Sequence, residues 1–180
     1  MNREIFDRLY AAGVLDSARA EYLWLPEMNF FPPVAGGGEY CGLTAFAMTG
    51  KNDLFCWDDD DRVYLAPPDH TEPVLYAANF RDAVYRRLLE FASDAFGTFC
   101  SDEEKAAMPH EAADAVISHS EALAMLKEYE RGFEALLLPE QLDVLRTLRR
   151  GGFDRVGVLL TESACGALIG VLLDAAGAEC

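Results

Sequence analysis

Residues 43–57 read LTAFAMTGKNDLFCW and contain two apolar runs separated by a polar turn. The runs span residues 43–49 and 54–57, and the residues between them, Gly50, Lys51, Asn52 and Asp53, include strong turn formers. Two short apolar runs joined by such a cluster are typical of an antiparallel hairpin. This stretch therefore predicts two neighbouring strands of one sheet.

The following residues continue the strand pattern and then change to a helical one. Residues 62–66 and 72–77 are further strand candidates, separated by a turn that begins at Pro67. From Asn79 onward, apolar residues recur at helical spacing, and Asn79 itself is suited to cap the helix. The sequence predicts an antiparallel meander with a helix covering one face.

The flanking segments predict additional helices around this sheet. Residues 2–15 predict a short amphipathic helix and residues 97–109 a loop. Residues 120–138 predict a second long helix, and Pro139 can open a third. Residues 156–160 predict a strand, followed by a helix through Ala176. We expect one α+β domain over residues 1–180, with a mainly antiparallel sheet flanked by helices in residues 1–96 and a mostly helical C-terminal extension, residues 97–180, packed on it.

The composition is that of an ordinary globular protein, but its charge is strongly acidic. Hydrophobic residues make up 51% of the 180 residues, whereas 31 acids face 15 lysines and arginines, a formal net charge of −16. Binding to nucleic acid or to an anionic membrane surface requires clustered basic residues, so neither is expected. Such a charge favours association with a basic protein partner, with simple solubility as the alternative.

The cysteines and the N-terminus indicate a cytoplasmic protein. The five cysteines form no CxxC pair, and free thiols suit a reducing compartment. Glu4 and Asp7 interrupt the region where a signal peptide would be apolar. The apolar residues 156–176 contain Glu162 and Asp174, which favours a buried core segment over a transmembrane helix.

No contiguous motif predicts catalysis, a cofactor or a metal. The three histidines lack the spacing of a zinc-binding helix, and the glycines at 36–38 lack the phosphate-loop pattern. We therefore predict a protein that is not an enzyme. The alternative is an enzyme with a noncontiguous site around Cys56, Cys100 and a histidine, which would require a reactive thiol.

The acidic run that follows the hairpin is the sharpest local feature. It comprises Asp58, Asp59, Asp60 and Asp61, directly after Trp57. Adjacent carboxylates repel one another and favour a solvated turn, but they also suit docking of a basic partner or binding of a divalent cation. Trp57 could anchor a partner or lie in the core. These five residues are the predicted partner-binding positions.

The stretch Ala45-Phe-Ala-Met-Thr-Gly-Lys-Asn-Asp-Leu-Phe-Cys-Trp57 resembles the central motif of the SUKH superfamily, which includes the yeast cell-wall assembly regulator and many bacterial immunity proteins. That motif has an apolar strand, a Gly-x-x-Asp turn and a strand ending in Phe-x-Trp. Val63-Tyr-Leu65, Val74-Leu-Tyr76 and Asn79-Phe80, ahead of Leu88-Leu89, extend the resemblance. It covers residues 20–95.

The resemblance implies an antiparallel sheet flanked by helices and a binding function, commonly the neutralisation of a toxin. Many nuclease toxins are basic because they hold nucleic acid, and an acidic inhibitor would complement them. A second alternative is a regulatory or structural subunit that docks through the apolar residues from Val156 onward.

Overall fold

The computed structural model describes residues 2–15, 28–31, 39–40, 42–49, 51–68, 72–98 and 100–151. The strand and helix predicted after residue 155, and the glycines at 36–38, lie outside these residues. The described residues group into two compact units, one up to Arg87 and one from Leu88 onward. The division falls inside a helix, further back in the chain than residue 96, where the first part of the single predicted domain ends.

The first unit is built on an antiparallel sheet, as predicted. Four strands form a meander in chain order, and two short strands pair antiparallel with opposite ends of the first meander strand. The elements are α1 (Asn2–Ala11), β1 (Asn29–Phe30), β2 (Glu39–Tyr40), β3 (Leu43–Met48), β4 (Leu54–Trp57), β5 (Val63–Ala66), β6 (Val74–Ala77) and α2 (Phe80–Thr98). The bounds of the four strands predicted between residues 43 and 77 are confirmed to within two residues. The predicted α+β fold is confirmed as well.

The hairpin between β3 and β4 is fixed by side-chain bonds inside its turn. The hydroxyl of Thr49 accepts bonds from the backbone N–H groups of Lys51 (3.1 Å) and Asp53 (3.0 Å) and donates to the Asp53 carboxylate (3.0 Å). Asn52 has a φ of 69°, a left-handed conformation that asparagine tolerates well. The turn residues of the sequence thus account for the register of the central strands.

One face of the sheet carries a cluster of aromatic rings. Phe46 stacks on Trp57 with ring centroids 4.4 Å apart. Phe6 of α1 meets the Trp57 ring edge-on at 5.3 Å and the ring of Phe80, the first residue of α2, at 5.5 Å. All four side chains are at most 4% exposed. This cluster attaches both helices to the sheet.

The opposite face of the central strands is also buried, but by small residues. Ala45, Cys56 and Ala66 form this layer, with Phe31, Tyr40, Leu43 and Leu54 packed against it. The hydroxyl of Tyr40 donates to the carbonyl of Pro67 at 3.1 Å, which places its side chain across the layer. Burial on both faces explains why β4 has a continuous apolar sequence instead of an alternating one.

Both edges of the sheet are partly covered by other described residues. At one edge, β1 and β2 cover the two ends of β3. At the other edge, the guanidinium of Arg86 donates to the carbonyl of Tyr76 in β6 (2.8 Å) and lies over the Tyr76 ring, 4.2 Å from its centroid.

The second unit is helical. After the end of α2 come α3 (Asp102–Ala106), α4 (His110–Ala113), α5 (His119–Gly132) and α6 (Pro139–Gly151). Its core contains Leu126, Tyr129, Leu145 and Leu148, and Phe91 meets the Tyr129 ring edge-on at 5.6 Å. Burial raises the pKa of the Tyr129 hydroxyl.

Three helix predictions differ from the structure. The first helix, predicted over residues 2–15, ends at Ala11. The long helix predicted over residues 120–138 ends at Gly132, while the start of α6 at Pro139 is confirmed. The loop predicted over residues 97–109 contains α3. This helix lacks buried residues and therefore has no apolar periodicity, so the hydrophobic pattern could not indicate it.

Asn79 caps α2 as predicted, since its side-chain oxygen accepts the backbone N–H of Asp82 at 3.0 Å.

No helix within the described part of the chain is long and apolar enough to cross a membrane.

Candidate functional site

Asp58 in the predicted acidic run fixes the turn between β4 and β5. Its carboxylate accepts bonds from the backbone N–H groups of Asp60 (3.0 Å) and Arg62 (2.9 Å). It also accepts bonds from the Arg62 guanidinium (2.8 Å) and the Tyr64 hydroxyl (3.2 Å). Only 17% of the Asp58 side chain is exposed. Its role in this structure is therefore to hold the turn.

The remaining aspartates of the run differ in exposure. Asp59 and Asp60 are exposed, and Asp61 is half-buried with a φ of 69°. The guanidinium of Arg62 also contacts the Asp60 carboxylate at 3.0 Å, so part of the negative charge is neutralised locally. The run thus presents two exposed carboxylates, and a basic side chain already lies beside one of them.

Trp57 is a core residue in this structure. It is 4% exposed and packs among the aromatic rings described above, so it offers no surface to a partner. A position in the core is the second of the two roles predicted for Trp57. Its indole N–H is buried and has no hydrogen-bond acceptor among the residues that the structure describes, while the guanidinium of Arg3 lies 5.7 Å from the ring centroid.

A larger acidic surface lies in the second unit. We name residues 101–117 the acidic strap. Its ends are joined by a parallel bridge between Cys100 and Ser118, in which the backbone N–H of His119 donates to the Cys100 carbonyl at 3.0 Å. The acidic strap contains one lysine and five carboxylates, and all five are exposed: Asp102, Glu103, Glu104, Glu111 and Asp114.

Two of these carboxylates are fixed by serines at helix starts. Ser101 caps α3, and its backbone N–H and hydroxyl both donate to Glu104 at 2.8 Å, which lowers the pKa of that carboxyl. Ser118 caps α5 in the same way. Hydrogen bonds from the hydroxyls of Ser118 and Ser120 lower the pKa of Asp102. The ionised forms are therefore favoured at neutral pH.

Lys105 is the one lysine of the acidic strap, and it is already bound. The strap also contains His110, whose ring lies 2.9 Å from the Asp114 carboxylate. The Lys105 ammonium group donates to the Val116 carbonyl at 2.9 Å and to the carboxylate of Glu121, in the first turn of α5, at 2.7 Å. The bond from Lys105, followed by that from the Ser118 N–H, lowers the pKa of Glu121. The five strap carboxylates consequently face solvent without a lysine or arginine of the strap to neutralise them.

These lowered pKa values predict a dependence of stability on pH. A carboxyl with a lowered folded-state pKa stabilises the fold above the ordinary value of about 4.3, and this contribution disappears as pH falls through the folded-state pKa. In urea unfolding between pH 7 and pH 3, we expect the stability difference between the wild type and Glu121→Gln to shrink towards low pH. Glu103→Gln, which removes an exposed carboxylate without disturbing a cap, is the control. A difference that is constant over this range would contradict the prediction.

The acidic strap was not predicted as a site from the sequence. One signal was present, because Ser101-Asp-Glu-Glu104 and Ser118-His-Ser-Glu121 both fit the Ser-x-x-Glu capping pattern. That pattern marks helix starts and would have indicated α3 in the segment predicted as a loop.

The thiols of the alternative Cys/His site are engaged or enclosed. Cys56 is fully buried in β4 of the first unit. Cys100 belongs to the second unit, where its thiol donates to the Ile117 carbonyl at 3.8 Å. Within the residues that the structure describes, no group of three or more metal-ligating side chains is assembled.

A groove of about 260 Å³ lies along α5 and α6. Basic and acidic side chains line it in equal number. Glu130 is held by Arg146 (2.7 Å) and Arg149 (3.3 Å) and its side chain is 16% exposed. The groove therefore has no net charge, in contrast to the acidic strap. Its lining residues are Lys127, Glu128, Glu130, Arg131, Glu134 and Arg149.

No protein-family model matches this chain, and the searches of curated proteins and of solved structures gave no significant match. The resemblance of residues 45–57 to the SUKH motif thus stays a prediction.

Proposed function

We propose that this protein is a non-catalytic binding domain, an immunity protein of the SUKH type that neutralises a cognate toxin in the cytoplasm. The observation that carries the proposal is the exposure of all five carboxylates of the acidic strap while its one lysine is bound to Glu121. The antiparallel sheet flanked by helices is the fold that the resemblance implies.

A surface of this kind suits a basic protein partner. Exposed carboxylates attract cations over about 10 Å at moderate salt, which steers a basic partner towards the surface and raises its association rate. A toxin that binds nucleic acid carries such cations because it must neutralise phosphates. The acidic strap would then occupy the surface that the toxin uses for its substrate.

The acidic strap is a better candidate than the turn at residues 58–61. In the turn, the Asp58 carboxylate is bound by the Arg62 guanidinium, which also neutralises part of the charge by contacting Asp60. The two surfaces can be separated by mutation, since Asp59 and Asp60 can be changed without affecting the bonds of Asp58 to the backbone.

The first test identifies the partner and asks whether binding protects cells. The tagged protein is captured from its native lysate at low and high salt, and co-purifying proteins are identified by mass spectrometry. We expect a stoichiometric toxin that is released by salt and whose toxicity is relieved when this protein is co-expressed. A captured toxin whose toxicity persists on co-expression would contradict the immunity function.

The second test measures association kinetics with that partner. Neutralising two strap residues that do not cap helices (Glu103→Gln, Glu111→Gln) should slow association several-fold at low salt. The double change Asp59→Asn, Asp60→Asn is the matched control and should have a smaller effect. An association rate that salt does not change would refute the electrostatic role of the acidic strap, even if binding is real.

A further inference from the structure

The acidic strap is attached to its unit differently from the other helices. Neither α3 nor α4 contains a buried residue. By contrast, Leu126 and Tyr129 of α5 and Leu145 and Leu148 of α6 are at most 2% exposed. Helices of four and five residues are too short to be stable on their own. The strap must therefore be held by specific contacts at its ends and along its length.

The polar contacts of the strap go mainly to the first turn of α5. Lys105 joins the start of the strap to its end through the Val116 carbonyl, and joins it to α5 through Glu121. The hydroxyl of Ser120, also in α5, donates to the Asp102 carboxylate at 2.7 Å. Apart from the bridge at Cys100 and Ser118, these bonds connect the strap to the first turn of α5.

From this arrangement we infer that the acidic strap opens as a unit while the hairpin of α5 and α6 stays folded, and that Lys105 is the latch that keeps it closed. Segments with few buried apolar contacts open locally at lower free energy than the core. The hinge points are the bridged residues Cys100 and Ser118, because they connect the strap to α2 and α5.

The effect of the Lys105 contacts on the equilibrium between the closed and the open strap can be estimated. An exposed ion pair and one hydrogen bond to a carbonyl each shift an equilibrium by a few-fold to about 10-fold. The Lys105 side chain is 22% exposed and that of Glu121 is 49% exposed, so solvent weakens their attraction. Loss of the ammonium group should therefore increase the open population by roughly 5- to 30-fold.

Native-state amide hydrogen exchange on the full chain tests this inference. The reporters are the amides that donate within the strap, those of Ala107, Ala112 and Asp114. In the wild type we expect them to exchange faster than the interior amides of α5 and α6. In Lys105→Met, which keeps the apolar stem, they should exchange roughly 5- to 30-fold faster still, with α5 and α6 unchanged.

Two further variants separate the latch from a general loss of stability. Glu121→Gln keeps the capping geometry of α5 but removes the charge, and should accelerate the same amides to a smaller extent. Lys127→Met removes an exposed lysine of α5 and should leave the strap unchanged. Equal protection of strap and hairpin in the wild type, or equal acceleration of both in Lys105→Met, would overturn the inference. These measurements need no partner, so the inference does not depend on the proposed function.

Discussion

Replacing Phe46 by alanine should lower the free energy of unfolding by about 3–5 kcal/mol, the largest effect expected of a single substitution in the first unit. Phe46 is 2% exposed and stacks on Trp57, and its ring also contacts those of Phe6 and Phe80. The substitution would leave a cavity at the point where α1 and α2 join the sheet. Urea unfolding followed by circular dichroism measures the loss.

Val74→Ala is the matched control for this experiment. Val74 lies in β6 of the same sheet, and its side chain is 63% exposed. Removing its methyl groups should change stability by about 0.5 kcal/mol or less, because little apolar surface returns to water. A loss below 1 kcal/mol for Phe46→Ala would show that the aromatic cluster is not the principal core of this unit.

Asp58→Ala should cost about 2–3 kcal/mol although the residue lies in a surface turn. The change removes a carboxylate that accepts two backbone N–H groups and one guanidinium, and leaves Arg62 without that partner. Asp58→Asn should cost less, since the amide oxygen can still accept the backbone bonds. Urea midpoints at neutral pH give the ranking.

Asp59→Ala provides the comparison within the same run. Asp59 is exposed, so its loss should change stability by about 0.5 kcal/mol or less. Equal effects at Asp58 and Asp59 would show that the run is merely a solvated turn, and that the bonds of Asp58 do not contribute to stability.

The parts of the fold that depend on hydrophobic pattern could be predicted from the sequence. The strands from Leu43 to Ala77, the cap at Asn79 and the helix start at Pro139 all follow from local residue chemistry. In the strands, the burial of one or both faces leaves a regular trace in the order of apolar residues, whereas the cap and the helix start follow from the identity of Asn79 and Pro139.

The candidate site could not be predicted in the same way. The role of Asp58 depends on bonds to Arg62 and Tyr64, which form only when the turn closes. The acidic strap is held by polar contacts between residues far apart in sequence, such as Lys105 and Glu121. Contacts of this kind have no sequence period, so the charge balance indicated the acidic character of the protein but not the acidic strap.

The partial cover on both edges of the sheet has a consequence for the behaviour of the protein at high concentration. An open edge strand is a template for pairing with another molecule, and leads to aggregation or to cross-β fibrils. Here β1 and β2 cover one edge, and the guanidinium of Arg86 takes up the Tyr76 carbonyl on the other. Pro73, just before β6, also lacks the N–H that an added strand would need. These features disfavour intermolecular strand addition, and they do so independently of the repulsion between the many negative charges of the protein.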